Sequence, residues 1–146
     1  MKLTVYTLCD RATVREGLLH VLGGGITSAQ LTTPGALDLD LALLFLPDSR
    51  EDMTAQHEAT VTMRQVTANA DLAKVQVAWQ AANIPDVDPL PALPLSVPLR
   101  QVRIDAPGDF EITIAVDGKQ AAQLKLGLRE RSNPVHTALT SVGPPS

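Results

Sequence analysis

The thiol of Cys9 and the imidazoles of His20, His57 and His136 are the side chains of this sequence best suited to act as nucleophile, general base or soft metal ligand. A thiol or hydroxyl beside an imidazole performs acyl transfer, and a Cys/His set holds zinc. Neither chemistry has its spacing here, because the four residues are scattered and no short motif gathers them. No catalytic residue and no metal ligand is therefore assigned. Cys9, following Leu8, reads as a small buried hydrophobe, and His57 as a rim residue bonded to backbone. Gly23-Gly24-Gly25 offers backbone N–H groups that could cradle an oxyanion. Neither the Lys-Ser/Thr of a phosphate loop nor a strand-to-helix step follows, so a hairpin turn or bulge with positive φ is expected there.

Two charged groups depend on how strands are arranged. If strands simply alternate in direction, the loops carrying Asp48, Glu51, Asp52, Asp86, Asp88 and Asp117 fall at one end, a composition that permits calcium. Arg50 and Lys119 lie among them, and acidic residues are also ordinary turn residues. Lys125, Arg129 and Arg131 on the last strand, with Arg100 or Arg103 beside them, form a basic row that reads as edge-strand protection.

The elements that must position these residues are strands. Pro107 to Lys119 contains the period-two run Phe110, Ile112, Ile114, Val116 between two turn signals. Similar runs bounded by Gly, Pro, Asn or Asp occupy 2–8, 17–22, 26–31, 37–46, 56–66, 72–80, 95–104, 110–117 and 120–128, the rhythm of a sandwich or barrel. In 37–46 the odd positions Leu37, Leu39, Leu41, Leu43 and Phe45 line the core, while Asp38 and Asp40 point outward. Leu44 and Leu46 are then outward leucines, expected to be covered by a loop or another subunit. Ala59, Val61 and Met63 face inward, as do Ala73, Val75, Val77 and Trp79. Parity changes near Arg100-Gln101, which requires a bulge or a short helical turn. For Ile112 to face Leu124, the last hairpin needs a three-residue loop Asp117-Gly118-Lys119, or a bulge beside a tighter turn. Single helical turns are expected near Arg11–Glu16 and Asp48–Ala55, and the Pro-rich 83–94 segment reads as an extended crossover.

Composition narrows the function. The 146 residues suit one domain, expected over 1–130, followed by a flexible tail over 131–146. The core must be mostly aliphatic, because only Tyr6, Phe45, Trp79 and Phe110 are aromatic. A net charge of -4 without a basic run argues against nucleic acid. A single cysteine permits no intrachain disulfide, and there is no apolar run long enough to span a bilayer, so a soluble cytoplasmic protein is expected.

The residues Cys9-Asp10, Glu16 to Gly25, Pro34, Pro107 to Phe110 and Val116-Asp117-Gly118 are similar to an uncharacterised bacterial family of small, single-domain, all-β proteins. That family couples an N-terminal "CD…GKLNILGG" stretch to a C-terminal "GxYxFxIxVDG" strand. Here Glu16-Gly17-Leu18-Leu19-His20 replaces the usual Gly-Lys-Leu-Asn, with His20 as the odd member. The resemblance implies an all-β fold and adds no catalytic residue.

The expected fold is a two-sheet antiparallel β-sandwich of about seven to nine strands, immunoglobulin-like or C2-like. The expected function is a non-catalytic protein-binding or scaffolding module that needs no cofactor and binds another protein or itself. Its contact surface is expected at Leu44 and Leu46, or at Pro85, Pro89, Leu90 and Pro91 in the Pro-rich segment. The alternatives are a calcium- or lipid-binding C2-like sandwich, and a small hydrolase or ligand-binding protein with a pocket converging on His20, Cys9 or His57.

Overall fold

The run at Gly108–Val116 is a strand, with Phe110, Ile112, Ile114 and Val116 buried on one face, as its period demands. The computed structural model describes residues 1–81 and 83–132; His136 and nearly all of the expected tail lie outside the described residues. Twelve strands and one short helix are found among them. In chain order these are β1 (Lys2–Cys9), β2 (Arg11–Arg15), β3 (Leu18–Leu22), β4 (Ser28–Leu31), β5 (Gly35–Ala36), β6 (Asp40–Leu46), α1 (Arg50–Thr54), β7 (His57–Gln65), β8 (Ala70–Trp79), β9 (Leu93–Pro98), β10 (Arg103–Ile104), β11 (Gly108–Val116) and β12 (Lys119–Glu130).

The chain is all-β, in several sheets, none closed into a barrel. A five-stranded sheet has the order β4-β12-β11-β7-β8, and a three-stranded sheet the order β1-β6-β9. One core joins them. Leu41, Leu43 and Phe45 of β6 share it with Val61 and Met63 of β7, Ile112 and Ile114 of β11, and Leu126 and Leu128 of β12. Two smaller sheets, β2-β3 and β5-β10, complete the count.

The last hairpin takes the second of the two expected solutions. Asp117 and Gly118 have φ of 50° and 82° and form a two-residue turn closed by Val116 and Lys119. A bulge between Ile114 and Ala115 then restores register, so that Ile112 faces Leu124. The parity change after β9 is absorbed by a turn at Arg100-Gln101, in which Val102 N–H donates to the Leu99 carbonyl.

Several expectations are corrected. Arg11–Arg15 is a strand, not a helical turn: Glu16 and Gly17, at φ 54° and 74°, close a two-residue hairpin onto β3. Gly23-Gly24-Gly25 is consequently not a hairpin turn but the passage from β3 to the separate sheet of β4, although Gly23 and Gly25 do have positive φ. The strands are not all antiparallel, because β4 runs parallel to β12. That pairing covers β12 only from Gly127 to Glu130, so Arg129 lies on an internal stretch and guards no edge, while Lys125 stays on a part of β12 with no further strand beside it among the described residues. The expected turn at Asp48–Ala55 is α1, capped by the Ser49 hydroxyl, which accepts the Asp52 N–H at 3.0 Å.

Candidate interaction face

On β6 the residues that alternate with the core, Asp40, Ala42, Leu44 and Leu46, point to the outer side of the three-stranded sheet. Register places Cys9, Thr7, Val5 and Lys2 of β1 beside them, and Pro98, Ser96 and Pro94 of β9 on the other flank. The β2-β3 hairpin folds over one end of this face. Ala12 is buried there against Cys9 and Ala42, and the Ser96 hydroxyl donates to the Ala12 carbonyl at 2.8 Å.

A buried carboxylate fastens the hairpin. Asp40, expected in solvent, is fully buried because the hairpin covers it. Its Oδ2 accepts the Ala12 N–H at 2.9 Å, and Arg100 grips both oxygens, from Nε at 2.8 Å and Nη2 at 2.7 Å. The Arg100 bonds, outweighing burial and helped by the Ala12 N–H, hold the Asp40 pKa below the ordinary carboxylate value. Beneath the same hairpin, burial first and the Asp40 and Asp10 charges second raise the Cys9 pKa, which leaves a protonated thiol donating to the Asp40 carbonyl.

Beyond the hairpin the face is open. Val5 and Leu46 are 40% and 43% exposed and Leu44 is half-buried between them. The hairpin extends the apolar surface with Leu18 and Leu22, 62% and 67% exposed, and with Val14 and Val21. Leu46, Pro47, Asp48, Asp88, Pro89 and Leu90 line a cleft of about 290 Å³. The fold thus brings together Leu46, Pro89 and Leu90, expected as parts of two separate surfaces. Pro85 stands apart, its carbonyl accepting from Arg50 at 3.1 Å, and Pro91 is half-buried. The sequence reading missed Val5, Val14, Leu18 and Leu22. The available signal was the Glu16-Gly17 pair between two short runs, which marks a tight hairpin less plainly than Asn-Gly does.

At the end of the molecule near α1, His57 is buried and stacks on Trp79 with ring centroids 5.8 Å apart. Its Nδ1 meets Asp117 Oδ2 at 2.7 Å and its Nε2 meets the Asp52 carbonyl at 2.5 Å. Both partners are acceptors, so both ring nitrogens donate and the ring is an imidazolium. Burial opposes that charge, but the bonds to Asp52 and Asp117 and the two carboxylate charges outweigh it and raise the His57 pKa. Asp117 also accepts the Glu58 N–H at 3.0 Å, which ties the β11-β12 turn to the start of β7.

Among the described residues most of the charged groups expected to form sites are paired within the chain, Glu51, Asp88, Lys119 and Lys125 excepted. Asp86 pairs with Arg50 at 3.2 Å, Asp52 and Asp48 with the Met1 nitrogen, and Asp117 with His57. Among the described residues no group of three or more His, Cys, Asp and Glu side chains is placed to hold a metal ion. Arg100 is taken by Asp40, Arg103 by Asp105 and Arg129 by Asp109. His20 is exposed on the hairpin opposite Thr13, on a different element from both Cys9 and His57. Among the described residues no helix is long and apolar enough to cross a membrane.

No curated protein matches the chain. A family model does, over residues 4–129, from the middle of β1 to the end of β12. The chain therefore belongs to DUF6941, a family of unknown function.

Proposed function

We propose that this chain is a non-catalytic binding module, a two-layer sandwich of the immunoglobulin-like or C2-like kind, that engages another protein through the outer side of its three-stranded sheet and the β2-β3 hairpin. The carrying observation is how exposed apolar area is distributed. Of the ten exposed large hydrophobic residues, Val5 and Leu46 lie on the outer side of the three-stranded sheet and Val14, Leu18, Val21 and Leu22 on its hairpin, while Tyr6, opposite core-facing Leu43, and three others lie elsewhere on the described chain. Apolar area concentrated on one side favours a partner there, at about 25 cal/mol for each Å² removed from water. The cleft between Leu46 and Pro89-Leu90 adds a recess into which a partner side chain can fit.

The other readings find less support. Calcium binding wants uncommitted carboxylates, and Asp52, Asp86 and Asp117 each already face a cationic group of the chain. A hydrolase wants an imidazole nitrogen free to take a proton, and both nitrogens of His57 are occupied.

The test compares faces. Wild-type protein and the variants Leu22→Asp, Leu46→Asp and Thr62→Asp are used as bait in the native host, with circular dichroism confirming each fold. A partner lost with Leu22→Asp or Leu46→Asp and kept with Thr62→Asp supports the proposal. Loss with Thr62→Asp alone, or retention by all three, overturns it.

A further inference from the structure

The five-stranded sheet ends in β8, which is hydrogen-bonded to β7 on one side and to no other strand among the described residues. From Ala73 to Trp79 it pairs with Met63 to His57 without interruption, so seven regular residues present their second edge outward. The other edges are poorer templates. β4 has four residues, and the stretch of β12 that it leaves unpaired, Lys119 to Leu126, is bulged between Gln120 and Ala122 and carries Lys119 and Lys125; β9 carries Pro94 and Pro98, and β1 is irregular between Leu3 and Val5 and already receives the Ile26 N–H at Leu8. The inward residues of β8, Ala73, Val75, Val77 and Trp79, pack against the core yet are only half-buried, as expected of a strand with no neighbour on its far side.

We propose that β8 pairs antiparallel with β8 of a second copy of this chain, about a two-fold axis at Val75, to give a continuous ten-stranded sheet. From Ala73 to Val77 the side chains of β8 are self-complementary in that register, and Trp79 falls opposite Asp71 at the margin, where β8 is irregular. Inside, Val75 meets its own counterpart and Ala73 meets Val77, which joins the two half-buried apolar rows into one seam. Outside, the exposed Lys74 lies opposite Gln76 of the second copy, twice, and no like charges oppose one another. A register shifted to an axis at Lys74 would set that lysine against itself. The inner faces of both copies lie on the same side of the joined sheet. The inference stands on β8 alone and is independent of the binding role proposed above.

The experiment is a charge swap on exposed positions, read by sedimentation equilibrium over a concentration series. Wild-type protein is expected to approach twice the 15.5 kDa of one chain as concentration rises. Gln76→Lys opposes two lysine pairs and is expected to raise the dimer dissociation constant about ten-fold. Adding Lys74→Glu to Gln76→Lys sets glutamate against lysine in this register only, and is expected to restore the constant to within about three-fold of wild type. Hydrogen exchange of those Ala73–Trp79 amides that point away from β7, every second one, should slow with concentration in wild type and less so in Gln76→Lys. A monomer at every concentration, or a dimer whose dissociation constant both variants leave unchanged, overturns the proposal.

Discussion

The clamp between Asp40 and Arg100 makes an asymmetric prediction. Asp40 is fully buried and Arg100 is largely exposed, so removing either partner strands a different group. In Arg100→Ala the carboxylate keeps the Ala12 N–H, and water entering where the exposed guanidinium stood recovers part of the loss. In Asp40→Ala the guanidinium turns to solvent, and the remaining losses are charge-assisted bonds and an unpartnered buried N–H on Ala12. Together these cost about 3 kcal/mol. Asp40→Ala should therefore be at least as damaging as Arg100→Ala, and the double variant should cost clearly less than the sum. For a chain of this size about 3 kcal/mol lowers Tm by about 10 °C, read by scanning calorimetry at pH 7. Because the folded pKa of Asp40 is lowered, its contribution is fully present above the unfolded value near 3.9 and fades as pH falls through the folded value. Additive losses, or an Arg100→Ala protein as stable as wild type, would refute the assignment of Asp40 as the group that holds the hairpin.

His57 gives the opposite pH signature. Its folded pKa is raised, so its contribution is complete below the unfolded value near 6.5 and is lost as pH rises through the folded value. Wild-type Tm should fall as pH rises above the unfolded value near 6.5, and His57→Ala should be less stable by about 2 kcal/mol at pH 6 and show a flatter dependence; an unchanged slope in the variant would assign the effect elsewhere. Two glycines separate backbone strain from crowding. Gly118 has φ 82° with open space around an added Cβ, whereas at Gly23, φ 66°, that Cβ would meet Asp10 Oδ2 at 2.7 Å. Gly118→Ala should cost about 1 kcal/mol and Gly23→Ala about 1–2 kcal/mol, with Asp10→Ala relieving only the second; chemical denaturation of the four proteins checks both.

Much of the core was legible because a strand buried on one face writes its orientation into every second residue. Leu37, Leu39, Leu41, Leu43 and Phe45 are all buried, as their spacing required, and so are Ala59, Val61 and Met63. The last hairpin was legible to the need for one extra residue, which alone brings Ile112 opposite Leu124, but not to whether the loop or a bulge would hold it. The β2-β3 hairpin was not. Thr13 and Val14 occupy a short strand whose partner is fixed by a turn, and most of its residues stay exposed, so no buried period marks it. Missing that hairpin also concealed the burial of Asp40, because an aspartate alternating with leucines looks solvated until something covers it. The parallel pairing of β4 with β12 left no mark either, as four residues are too few to show a period.

The candidate face follows from a difference between the two large sheets that neither strand pattern discloses alone. Across the outer face of the five-stranded sheet, Lys125, Glu111, Arg64 and Asp71 stand side by side on β12, β11, β7 and β8, alternating in sign, with Gln123, Thr113, Thr62 and Lys74 in the next row. Such a surface is well hydrated and has no need of a cover. The outer face of the three-stranded sheet has Val5, Leu44, Leu46 and Pro94 in comparable positions, and the chain covers only the end nearest Asp40. Had the hairpin served only to shield this sheet, its own outward residues would resemble those of the other sheet. Leu18 and Leu22 instead stand exposed on its outer side beside His20, which places new apolar surface over the surface already covered. The outer side sets Leu22 and Leu18 opposite Arg11 and Arg15, apolar surface flanked by cations, and on the binding role proposed above this is where a partner with apolar and acidic groups would sit.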